Sequence, residues 1–360
     1  MNVFGKNYRV EIFGESHARA VGAVIDGIPA GFTIDMHALS EAMARRAPGK
    51  MDGSTQRQED DKVEILCGLL NNVATGAPLC GVIYNKDTRS ADYSRTAGIM
   101  RPGHADHTGY IKFDGQNDIR GGGHFSGRLT APLVFAGSIA RQYLAQKGMV
   151  IGAHILRVAD VEDIPLGWID ANGARMLEEK DFPVLSDNAG QQMQERIRQA
   201  AEEDDSVGGV VECAISGAAV GMGEPFFWSV ESALSQMMFS IPAVKGIEFG
   251  DGFKMAEMKG SEANDALFVE GMHLAYKTNH NGGLLGGITN GMPILFRVAI
   301  KPTASIGKPQ DTVDIRKMEN TQIKIEGRHD SCIVPRAVEV VKAAAAIVMM
   351  DLYLEKEKAK

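Results

Sequence analysis

The stretch YRVEIFGESHARAVGAVIDGIP, residues 8–29, decides the fold class. Residues 8–14 alternate apolar and polar side chains, the period of a half-buried strand, and residues 21–29 read as the hairpin partner. A short return of this kind pairs strands antiparallel, whereas parallel strands need a long crossover. Outward from the hairpin, MHALSEAMARRA (36–47) has helical spacing and stops at Pro48 and Gly49. Strand signals follow at 62–70 and 78–85, then a loop rich in Asp, Arg and Ser. A helix with small residues on one face spans 128–148, ending at Gly148, and a strand covers 148–158. Residues 159–186 read as an exposed excursion, 188–205 as a polar amphipathic helix and 208–217 as a strand. Helix 228–241, strand 243–253, a glycine-rich irregular stretch over 254–287 and strand 293–302 complete the pattern. AVEVVKAAAAIVMMDLYL (337–354) carries Glu339, Lys342 and Asp351, so it reads as a buried helix and not a membrane span. No linker or repeat divides the chain, which is taken as one domain over 1–360. Paired strands with a few long helices indicate α+β or layered α/β, not a doubly wound sheet.

With 44% hydrophobic and 23% charged residues among 360, the composition is that of an ordinary soluble protein. A net charge of −8 argues against coating nucleic acid, which needs a basic surface. Cys67, Cys80, Cys213 and Cys332 lie far apart with no CxxC or zinc spacing, so they read as scattered reduced thiols. The first residues lack the apolar core of a signal peptide. The expectation is a cytoplasmic protein with no membrane or nucleic-acid partner.

Four glycine-rich stretches bring polar groups together: GESH (14–17), RPGHADH (101–107), RGGGHFSGR (120–128) and GRHDSC (327–332). Histidine exchanges protons near neutrality and arginine forks onto phosphates and carboxylates. A glycine loop running into a helix offers backbone N–H groups to a phosphate. His104 and His107 are three apart, but no further ligands stand at metal spacing, and no metal is assigned. Neither a G-x-G-x-x-G fingerprint nor a P-loop is present. NHNGGLLGG (279–287) and KPTAS (301–305) suit close backbone contact with a planar ligand, and ARRAPGK (44–50) adds cations. These residues by themselves indicate an enzyme acting on a small polyanion, with or without a bound cofactor.

In their order, GESH with the following DGIPAG, ARRAPG, RPGHADH, RGGGHFSGR, AVKGIEFGDGF, NHNGGLLGGI, KPTASI and GRHDSC resemble chorismate synthase over nearly the full chain. The resemblance implies a carbon–oxygen lyase of the shikimate pathway. Its substrate, 5-enolpyruvylshikimate 3-phosphate, loses phosphate and a ring proton in an anti 1,4-elimination that yields chorismate. Reduced FMN is required without net redox change, and the reductant is NADPH in some members and external in others. The fold implied is α+β, a layered β-α-β sandwich of antiparallel sheets covered by helices, usually assembled as a homotetramer.

By the same resemblance, His17 protonates the departing phosphate, His104 steadies the anionic reduced flavin and Asp330 helps flavin N5 act as a base. Arg45, Arg46, Arg101 and Arg128, with Ser16, match positions that hold the substrate. FMN contacts fall on His124, Phe125 and Ser126, on Pro242 and Ala243, on Gly286, on Lys301, Pro302, Thr303, Ala304 and Ser305, and on Arg328. The chain departs from the common pattern GRSSARET: His124 and Phe125 replace an arginine and a serine, Gly127 an alanine, and Leu129 a glutamate. Pro242 stands where others have asparagine, leaving a backbone contact, and Lys50 is the one substitute for a further arginine after ARRAPG. Two other readings stay open on the residues: a metal-dependent phosphohydrolase using HADH and GRHD, and a catalytically idle flavin-binding relative.

Overall fold

The computed structural model describes residues 2–47, 61–86, 98–325 and 330–359. The expected hairpin is formed by β2 (Arg9–Gly14) and β3 (Ala20–Asp26), in a register that sets Gly14 opposite Val21. With β1 (Val3–Phe4), β4 (Glu64–Cys67) and β7 (Leu79–Tyr84) they make an antiparallel sheet of order β1-β2-β3-β7-β4. The small hairpin β5 (Leu69–Leu70) and β6 (Val73–Ala74) lies between β4 and β7 in sequence. Strand 62–70 is thus not continuous: Gly68, at φ +91°, breaks it.

A second antiparallel sheet has the order β11-β16-β10-β8-β9. It comprises β8 (Val150–Val158), β9 (Val161–Glu162), β10 (Gly209–Ser216), β11 (Val244–Phe249) and β16 (Ile294–Ile300). Hairpins β12 (Leu267–Glu270) with β13 (His273–Tyr276), β14 (Leu284–Leu285) with β15 (Ile288–Thr289), and β17 (Gln310–Asp314) with β18 (Glu319–Ile323) stand outside both sheets. The helices are α1 (Met36–Arg46), α2 (Asp106–Lys112), α3 (Thr130–Gln146), α4 (Ala171–Glu178), α5 (Asp187–Glu202), α6 (Val230–Ser240), α7 (Gly260–Ala263) and α8 (Val334–Lys358).

Helices fill the space between the sheets. α3 packs on β3 and β7, α8 packs on β8 and β10, and the two helices pack on each other. At their crossing, a Cβ on Gly137 would lie 2.3 Å from the Ala343 carbonyl oxygen, so only glycine allows the approach. This central position explains why every residue from Ala337 to Leu352 is buried. Enclosed on all sides, the helix is mostly apolar, and its buried charges are paired: Lys342 with Glu339 at 2.7 Å, and Asp351 with the Tyr8 N–H at 2.8 Å. The layered β-α-β sandwich expected from the sequence is therefore present.

Three stretches differ from their reading. The 159–186 excursion is not simply exposed: Ile169 and Leu177 pack against Ala214 of β10, a local core too short-lived in sequence for periodicity to register. Residues 254–287 hold the β12–β13 hairpin, whose strand residues are partly or fully exposed and so lack alternation. The run 120–125 does not lead directly into a helix, because Gly121, Gly122 and Gly123 take φ of 59°, 86° and 53°.

Candidate active site

The glycine run brings two distant histidines together. β2 ends at Gly14, and in the following turn the buried Ser16 donates its N–H to the Gly123 carbonyl at 3.1 Å. A Cβ on Gly121 would fall 2.3 Å from His17 Nδ1 and 2.7 Å from Ser16 Oγ. One on Gly122 would fall 3.1 Å from His104 Nε2. Left-handed backbone without side chains thus passes between Ser16 and His17 on one side and His104 on the other.

Asp106 organises the 101–107 bend. Its carboxylate accepts two bonds from the Arg101 guanidinium, both at 2.7 Å, and lies 2.7 Å from His104 Nδ1. Burial works to raise the Asp106 carboxyl, but hydrogen bonds from Arg101 and His104 hold it well below the usual carboxylate range. Asp106 and Arg101 Nη2, at 2.7 and 3.1 Å, both face Nδ1, leaving Nε2 beside the glycine run. Lys301 Nζ bonds the Gly103 carbonyl, and Gly103 comes close to Ala304. Lys301 N in turn donates to the carbonyl of Ala243 at 3.0 Å, and Ala243 sits at φ +74°. The 101–107 bend, Ala243 with its neighbour Pro242, and the 301–305 segment therefore meet. Pro302, Thr303, Ala304 and Ser305 follow β16 directly, and the Thr303 carbonyl accepts from Ser206 Oγ at 2.7 Å.

Two expected arginines converge on a carboxylate. Arg46 and Arg128, 3% and 5% exposed, both bond Asp61. Burial works to raise the Asp61 carboxyl, and the flanking guanidiniums of Arg46 and Arg128 more than reverse it. Burial draws Arg46 down to about 10. Arg46 Nε donates to Thr130 Oγ1 at 3.1 Å, and Arg128 Nε to Asn85 Oδ1 at 2.9 Å. Asn85 then donates to the carbonyls of Glu15 and Ala18 at 3.1 and 2.8 Å, tying the His17 turn to Arg128. Arg336 connects the last member: its Nη1 donates to Asp330 at 2.8 Å and its Nε to the Arg46 carbonyl at 3.2 Å.

Other expected residues are placed differently. Arg45 turns away from Arg46 to Glu339 and Glu178, at 3.1 and 3.7 Å, in a separate cluster with Lys342 and Arg141. Arg101 is held by Asp106. His124 bonds the Gly14 carbonyl at 2.9 Å and lies 3.3 Å from Asn2 Oδ1. Phe125 packs on Gly109 and Phe113, and Ser126 caps the turn before α3. Gly286 lies in the β14–β15 turn beside the start of α6, while Pro242 and Ala243 follow its end. At 1.5 Å rise per residue, the length of α6 separates them by about 16 Å. Arg328 and Lys50 lie outside the described residues. Asp61, Asn85, Asp106 and Arg336 were not singled out from the sequence, although Asp106 stood within RPGHADH.

The arrangement has the provisions a ligand needs. Ser16 Oγ and Thr303 Oγ1 are buried hydroxyls without a hydrogen-bond partner among the described residues, a condition that polar groups normally avoid. Imidazoles of His17 and His104 can exchange a proton, and Arg46 and Arg128 can neutralise an anion. Among the described residues no group of three His, Cys, Asp or Glu side chains is placed to hold a metal ion.

Comparison with known proteins shows the family. A family model described as chorismate synthase matches residues 8–354. The chain is 46% identical over 360 residues to a chorismate synthase of Dehalococcoides mccartyi, covering 98% of this chain and 96% of that one. It is 43% identical to one from Korarchaeum cryptofilum, covering 97% and 96%. A crystal structure of chorismate synthase superimposes with a TM-score of 0.75 at 25% identity, over 98% of this chain and 93% of the other.

Proposed function

The chain belongs to the chorismate synthase family, and from that premise we propose how its own residues serve the reaction. The protein is a carbon–oxygen lyase of the shikimate pathway, converting 5-enolpyruvylshikimate 3-phosphate to chorismate with loss of phosphate. The family uses reduced flavin.

His17 is the general acid in this reading. As the carbon–oxygen bond to phosphate breaks, its imidazole gives a proton to the departing oxygen, meeting the charge that develops there. Arg46 and Arg128 receive the substrate's anionic groups, with Asp61 holding the two guanidiniums together beforehand. Ser16 Oγ, buried beside Gly121, offers a hydroxyl to the same ligand. Asp330, held by Arg336 at 2.8 Å, would assist the flavin in accepting the ring proton. His104, turned by Asp106, presents Nε2 beside the glycine run.

Reduced FMN would be held by the His104 bend together with the segments 242–243 and 301–305, where Thr303 Oγ1 lacks a partner among the described residues and Lys301 adds a basic side chain. When bound, the flavin supplies an electron transiently to the substrate as phosphate leaves. NADPH is the proposed reductant to try first. A single catalytic domain, a homotetramer and a cytoplasmic location belong to the same proposal. Among the described residues no helix is long and apolar enough to cross a membrane.

The single observation behind the assignment is the glycine run with His17 on one side and His104 on the other. The test is an anaerobic assay with 5-enolpyruvylshikimate 3-phosphate and chemically reduced FMN, following chorismate and phosphate together. Equal release of both, abolished with oxidised FMN, is expected. His17→Ala should lower turnover by about a hundredfold or more while FMN still binds. Undiminished turnover in that variant removes the acid from His17, and phosphate without chorismate would favour hydrolysis.

A further inference from the structure

Two cysteines that look scattered in the sequence are neighbours across a pair of strands. Cys67 at the end of β4 stands opposite Cys80 of β7 in the antiparallel ladder. The register shifts between Ile65 and Cys67, and opposed residues of an antiparallel pair have Cα atoms about 4.5–5.5 Å apart, a separation that a disulfide spans. Cys80 is on the outer face. Leu79 and Ile83, which flank Cys80 in alternation, are buried, and Gly81 lies against Phe135 of α3. Cys67 is exposed, Cys80 is partly so, and both are free thiols. β4 is also an edge strand, without a second partner strand among the described residues.

The other end of this ladder reaches Arg128. Asp61 lies three residues before the start of β4, and Asn85 directly follows the end of β7. Both grip the Arg128 guanidinium, Asp61 at Nη1 and Asn85 at Nε.

We infer that Cys67 and Cys80 form a thiol–disulfide couple that staples β4 to β7 and so secures the Asp61–Asn85 clasp on Arg128. The oxidant is a small-molecule disulfide of the glutathione type. The more exposed Cys67, as thiolate, attacks one sulfur of that disulfide; the oxidant's S–S bond breaks and one glutathione thiolate leaves. Cys80 loses its proton to water and attacks Cys67 Sγ, forming the Cys67–Cys80 bond and expelling the second thiolate. The protein gives up two electrons and two protons, and the oxidant becomes two thiols. Burial and the adjacent Cys67 raise the Cys80 thiol, which disfavours it as the first attacker. Cys213 and Cys332 are enclosed in the core, with burial pushing Cys332 up to about 12, so they serve as internal controls.

The test uses the full chain with glutathione disulfide, then acid quench, alkylation and peptide mass mapping. Expected is a Cys67–Cys80 link within one chain, reversible by dithiothreitol, with Cys213 and Cys332 still reduced. Cys80→Ser should instead retain one glutathione on Cys67. In the oxidised protein, hydrogen exchange of β4 amides that open by separating the two strands should slow by about a hundredfold, the entropy of a closed short loop. Stable separate glutathione adducts on Cys67 and Cys80, or links only between chains, would overturn the couple. An intramolecular link that leaves exchange in β4 unchanged would overturn the staple.

Discussion

Asp61 is the point where charge balance in the site is most exposed to test. Its carboxylate lies between the guanidiniums of Arg46 and Arg128, which are 3% and 5% exposed. In Asp61→Asn the shape is kept, but one of the two acceptor oxygens becomes an N–H donor facing a guanidinium. Removing one partner from a buried ion pair costs about 3–5 kcal/mol, because the remaining charge has neither water nor a counter-ion. At about 2 °C per kcal/mol for a chain of this size, the midpoint of thermal unfolding should fall by about 6–10 °C. The two bared guanidiniums also form an anion site, so inorganic phosphate should restore more stability to the variant than to the parent. Differential scanning fluorimetry in chloride and in phosphate at matched ionic strength measures both effects. The sign with pH follows from the lowered Asp61 carboxyl. Its contribution is fully present above the ordinary carboxylate pKa near about 4 and is lost as pH falls through the depressed folded value. The gap between parent and variant should therefore be level from pH 5 to 8 and close only in acid. A midpoint within about 2 °C of the parent, or equal stabilisation of both by phosphate, would refute the reasoning.

Gly121→Ala places a Cβ 2.3 Å from the His17 ring at φ +59°, so turnover should drop by about a hundredfold with circular dichroism unchanged; a parent-like kcat would show that the ring has room to move. Asp106→Asn should release Arg101 and His104 together. Because the Asp106 carboxyl is depressed, the resulting loss of stability should be present at pH 7 and disappear as pH falls through that depressed value in urea titrations, and a loss absent at pH 7 counts against the cluster. Glu178, beside Lys342, Arg141 and Arg45, is held down to about 2 against the pull of burial. Its stabilisation, on the order of a few kcal/mol, persists above the ordinary glutamate range and fades as pH falls towards 2. Glu178→Gln should consequently destabilise at pH 7 and approach the parent near pH 2, as read by chemical unfolding at each pH.

The hairpin 8–29 and the C-terminal helix were legible because their signals are local. Alternation needs only neighbouring residues, and a long apolar run bearing three charges excludes a lipid setting. Legibility failed where a side chain's direction matters. Arg45 and Arg46 are consecutive on α1, about 100° apart around the helix axis. One therefore reaches Asp61, while the other reaches Glu178 and Glu339 on the far side. Gly286 and Pro242 both sit in glycine- or proline-marked turns, and nothing local tells that α6 stands between them.

From the sequence by itself came the class of the fold, the family and the stretches proposed for acid–base and anion-binding work, since each resides in a short segment with its own chemistry. Only the tertiary structure decided that His17 and His104 flank one glycine run, that Asp61 and Asp106 supply the counter-charges, and that Cys67 faces Cys80. Such pairings depend on strand register and helix crossing, which arise from closing the core over the whole chain and leave no periodic mark at the residues they join.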